Sequence, residues 1–153
     1  NVWGGLKKYM TNNEMLMAAI EFEEVDVSYD LLYLIQNGLI NPNDEYKDLG
    51  KTWDLVDKKV INEWMSQNLL GFDIINLYGI RIDVTSWHLF FSRNDSEARG
   101  YALNKLGTTN VIKFPKEKKL TSFYFPDSKQ YKSLLELSKE SNVIPRYALT
   151  IWL

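Results

Sequence analysis

The apolar residues of this chain change period at Gly71, and that change limits the folds open to it. Before Gly71 they recur at helical spacing; after it they come in short runs, several of them alternating, that read as strands. Charge divides at the same place. Residues 1–70 hold twelve Asp/Glu against six Lys, a balance of −6, and residues 71–153 hold eight acids against twelve bases, a balance of +4. The total of −2 conceals this polarity. Segregated charge is an argument about partners and encounter rather than about fold.

Three helices are expected in the first part. Thr11 and Glu14 have capping-box spacing ahead of an almost wholly apolar run, Met15 to Ile20, which reads as a buried helix or, if exposed, a subunit contact. Ser28 caps a second helix, with Val27 stapled to Leu32 and Gly38 as its stop. A third runs from Thr52 to Gly71, with Trp53, Val56, Val60, Ile61, Trp64 and Met65 inward. Beyond Gly71, residues 72–84 read as a hairpin divided at Gly79. Then follow a strand from Trp87 and a helix opened by Asn94 and Glu97 and closed by Gly107. Strands at 111–114 and 120–125, a helix capped by Ser128 and a last strand from Tyr147 complete the order.

The expected fold is therefore α+β: an N-terminal three-helix segment and a β-hairpin packed on a C-terminal ferredoxin-like β-α-β-β-α-β half with an antiparallel sheet. The domain reading is an acidic helical segment, 1–70, and an α/β half, 71–153, with the hairpin at 72–84 and the ferredoxin-like part at 86–153. Leu69, Leu70 and Phe72 cross the junction without a linker, so one shared core is expected. Gly100 lies inside a helix, where close packing on the sheet is the preferred reason and approach of a ligand or partner to the backbone the other.

Composition removes whole classes of chemistry. There is no cysteine, hence no disulfide, thiolate zinc site, iron–sulfur cluster or thiol nucleophile. His88 is the only histidine, which removes any site needing two imidazoles. No glycine pattern matches a phosphate loop or a dinucleotide fingerprint. No apolar run approaches the ~18–20 residues of a membrane helix, and the first residues lack signal-peptide character. A cytoplasmic protein without cofactor or metal is the expectation.

Three constellations remain. Glu21, Glu23, Glu24, Asp26 and Asp30 crowd one helical corner with no base among them. Such a row repels phosphate and so excludes DNA reading by these helices, but it suits a protein partner with a basic surface. Arg93, Arg99, Lys116, Lys118 and Lys119 make the later half a candidate for nucleic-acid binding or processing. His88, Asp73, Asp83 and Glu117 would be an enzyme's groups if they converged; Glu117-x-Lys119 faintly resembles the Glu-x-Lys of metal-dependent nucleases. The preferred expectation is a non-enzymatic interaction factor, of the inhibitor, immunity or regulatory kind met in bacteria and phages. It would act through the acidic face, with nucleic-acid binding as the alternative.

Overall fold

The computed structural model describes residues 9–152. The chain mixes helix with antiparallel sheet and divides into two compact units, with the boundary between Asp73 and Ile74.

The first unit holds helices α1 (Asn12–Glu21), α2 (Val25–Gln36) and α3 (Lys58–Ser66). Thr11 caps α1 as its spacing requires: its side chain accepts from Glu14 N while Glu14 reaches back to the Thr11 N–H. Leu16 and Ala19 are buried, whereas Met17 is exposed, so α1 is only half sunk. The polar stretch after α2 folds back on this cap, with Asn12 Nδ2 donating to Asn41 O at 2.7 Å and Asn12 N to Asp44 O at 2.9 Å. Tyr29, Leu34, Val56 and Ile61 form the core, and the Tyr29 hydroxyl accepts from Leu70 N at 3.2 Å.

Two expectations fail here for local reasons. Ser28 does not cap α2; it sits one turn inside, buried, with Oγ donating to Glu24 O at 2.7 Å. The expected helix from Thr52 to Gly71 is broken. Gly50–Leu55 is a 3₁₀ turn, Val56 is extended, and Asp57 starts α3 afresh by accepting from Lys59 N at 3.0 Å. An Asp side chain competing for a backbone N–H is a stronger stop than an apolar stripe is a continuation.

The second unit is built on a four-stranded sheet of order β3-β1-β2-β6, antiparallel throughout. Its strands are β1 (Asn76–Arg81), β2 (Ser86–Ser92), the two-residue β3 (Ile112–Lys113) and β6 (Arg146–Trp152). Between them lie α4 (Asp95–Leu106), a 3₁₀ turn (Lys116–Leu120), the hairpin β4 (Ser122–Phe125) with β5 (Gln130–Ser133), and α5 (Leu134–Ser138). Alternation along β1 and β2 sends side chains to opposite faces. Tyr78, Ile80 and Phe90 meet Ala98, Tyr101 and Ala102 of α4. Leu77, Leu89 and Phe91 meet Leu134 and Leu137, with Phe123 and Phe125 of β4 packed against the same cluster.

The ferredoxin-like arrangement is not what the strands adopt. The run from Leu120 does not join the main sheet; β4 pairs with β5, inside a segment expected to be helix. The reason is a second cap. Ser133 and Glu136 form a capping box, so α5 begins at Leu134 instead of at Ser128, and the residues before it are free to pair. The central place is taken by β1, which runs straight through Gly79 and turns at 82–85 instead. Gly79 permits close approach: a Cβ there would stand 2.5 Å from Phe114 Cε2. Gly100 does not; it is exposed, with nothing within 4 Å of a built Cβ, so close packing is not its reason.

A cleft of about 110 Å³ remains under the β4–β5 side of this unit, lined mainly by apolar side chains.

Candidate functional site

Each charged cluster has both exposed and buried members. In the first unit, Glu21 ends α1, Glu24 precedes α2, and Asp26 and Asp30 lie on α2. Glu24 and Asp26 stand at the positive end of the α2 dipole, which favours carboxylates there whatever their function. Glu23 is buried in the turn, with a positive φ of 57°. Asp30 is mostly buried; Lys58 Nζ lies 3.5 Å from its Oδ1, yet that oxygen accepts no hydrogen bond. Glu21 and Asp26 are exposed and Glu24 is half-buried, and Glu21, Glu23 and Glu24 each interact with another group of the chain. The corner is real, but its free surface is smaller than five residues.

In the second unit Arg93, Arg99, Lys116 and Lys118 are exposed, and Lys119 is not. Lys119 is 4% exposed and donates from Nζ to Ile75 O at 2.8 Å, so it ties the 3₁₀ turn to the residue before β1. It is withdrawn from any nucleic-acid surface. Arg99 and Lys118 do not share a face of the sheet. Arg99 lies on α4, which covers the Tyr78–Phe90 face, whereas Lys118 borders Leu77 and Leu89 on the opposite face.

Each group that an enzyme would use has a local setting of its own. Asp83 Oδ1 accepts from Thr85 N at 2.8 Å in the β1–β2 turn, and that bond is the first reason its carboxyl sits below the usual range. Glu117 is exposed on the 3₁₀ turn while Lys119 points inward, so the Glu-x-Lys pair does not aim at one point. Asp73 is exposed at the unit boundary. Asp95 accepts from the buried Tyr78 hydroxyl at 2.6 Å; burial, then this bond, pushes the phenol's pKa up. Among the described residues no group of three or more His, Asp or Glu is placed to hold a metal ion.

His88 has a partner the sequence did not announce. Its Nε2 is 2.8 Å from the Tyr101 hydroxyl, the direction of that bond depending on the tautomer, and its ring lies 4.7 Å from that of Tyr147. Tyr147 in turn shares a hydrogen bond of 2.9 Å with Thr150. Burial lowers the His88 pKa from 6.5, which favours the neutral imidazole. Burial, then the neighbouring Tyr147, raises that of Tyr101, which keeps its proton. The pair joins β2 to α4 through one side-chain hydrogen bond. Thirteen residues separate His88 from Tyr101, and no spacing rule connects a strand to a helix across that distance.

Comparison with known protein families, curated proteins and solved structures yields no match. Among the described residues no helix is long and apolar enough to cross a membrane.

Proposed function

We propose that the chain is a non-enzymatic factor that binds a protein partner with a basic surface through the corner between α1 and α2. One observation carries the reading. Exposed Glu21 and Asp26 flank a corner in which Asp30 Oδ1 is buried without a hydrogen-bond donor, beside a largely exposed Lys58. An incoming Lys or Arg that replaced Lys58 would supply that donor, and the surrounding carboxylates would steer it there. An inhibitor, immunity or regulatory protein acting in the cytoplasm is the kind of factor this chemistry suits.

The test is retention of a partner from lysate by the wild-type chain and by a Glu21→Lys/Asp26→Lys variant, each across a salt series. Both positions are exposed, so the variant spares the core. The expected result is capture of a basic protein that weakens with salt and is lost on charge reversal. Capture that survives the reversal unchanged would assign binding to another surface.

A further inference from the structure

We propose that the cleft in the second unit is a binding site for a small amphipathic monoanion, an aromatic or short-chain aliphatic carboxylate. Leu77, Leu89 and Ile151, from three adjacent strands, and Phe114 line one side; Phe123 of β4 and Leu134 of α5 line the other. Lys118 and Thr121 are the only polar side chains on the lining, and both are exposed, which puts them at the mouth. A volume of about 110 Å³ is somewhat below the ~150 Å³ of an apolar cavity that admits benzene, so the occupant is a single ring or a few carbons long.

The chemistry of the wall selects the ligand. Apolar surface dominates, which a polar metabolite would not repay on leaving water. At the rim the Lys118 ammonium has no ion-pair partner among the described residues. A ligand with an apolar body and one negative end fills the cleft and supplies the missing counter-charge. A neutral hydrocarbon does the first only, and a dianion strands a second charge against leucines. The balance of +4 over residues 71–153 also favours the approach of an anion.

Gly79 shapes the site from beneath. Its missing Cβ leaves room for the Phe114 ring, with Trp87 Cε3 also only 3.1 Å from where a Cβ would stand. Alanine there displaces the ring that forms one wall.

The experiment is a titration of the whole chain with sodium benzoate, and with benzyl alcohol as its uncharged counterpart, read by NMR of the Leu77, Leu89, Leu134 and Ile151 methyl groups. Saturable shifts confined to those methyls are expected, with a dissociation constant on the order of 1 mM for benzoate. Lys118→Gln should weaken benzoate about tenfold and benzyl alcohol less than about twofold. Leu134→Phe, which fills the space, should abolish both; Gly79→Ala, which moves the wall, should weaken both and stands in if the first variant does not fold. The proposal is overturned by the absence of saturation up to about 50 mM benzoate in the wild-type chain. Shifts centred elsewhere, or equal benzoate binding by Lys118→Gln, overturn it as well.

Discussion

The two faces of the four-stranded sheet are covered by different means. On one, the twelve-residue α4 packs as a single element, with its small residues Ala98 and Ala102 fully buried against the strands. Tyr101 then stacks on Phe90 at 4.2 Å between centroids, and Phe90 on Tyr78 at 5.7 Å. On the other face the cover is assembled from a five-residue 3₁₀ turn, a hairpin of four-residue strands and a five-residue helix. A continuous helix can present one complementary surface. Pieces this short meet at their ends, and the cleft lies where they meet. Among the described residues, stacked rings mark the first face and an apolar cleft marks the second.

Substitutions can break or sharpen that contrast. Phe90→Ala removes a fully buried ring from the closed face and should cost about 3–5 kcal/mol, measured by chemical denaturation. An effect under about 1 kcal/mol would mean the closed face is no better packed than the other. Lys119→Met acts on the assembled cover. It keeps the apolar stem but leaves Ile75 O without its Nζ donor, and a loss of about 1–3 kcal/mol is expected on the same assay. Gly100→Ala, on the solvent side of α4, should stabilise by about 1 kcal/mol, since the added methyl meets nothing within 4 Å.

The smallest effect is that of His88 on pH dependence. Its folded pKa lies below 6.5, so on acidification the unfolded chain takes up this proton first. Its contribution is therefore complete above about pH 6.5 and is lost as pH falls from there toward the lowered folded value. His88→Phe should flatten that part of a stability profile; an unchanged slope would show that burial does not hold the imidazole neutral.

Much of the local structure was legible. The caps at Thr11 and Asn94 and the stop at Gly107 follow from side chains that satisfy nearby backbone groups, and such chemistry is written over three or four residues. Where two local signals competed, the reading failed: Ser28 against the carbonyl of Glu24, the Trp53–Met65 stripe against Asp57, Ser128 against the box at Ser133 and Glu136. Strand order was not legible, because pairing β1 with β2 and β4 with β5 is a choice among long-range alternatives that turn residues do not rank. The candidate sites fared as the charges did. Lys118 and Lys119 are neighbours in sequence, yet on a tight turn one reaches solvent and the other the interior. A lone glycine within a strand, Gly79, was the one available hint of close approach at the cleft.

The amine of Lys119 has a further use. It is held inside the fold, so an acylating reagent reaches it only when that part of the chain lifts away from Ile75. Lys116 and Lys118, exposed on the same turn, provide internal standards for the reagent. The ratio of labelling at the three positions would make this one side chain a clock for local breathing, readable by peptide mass without any added probe.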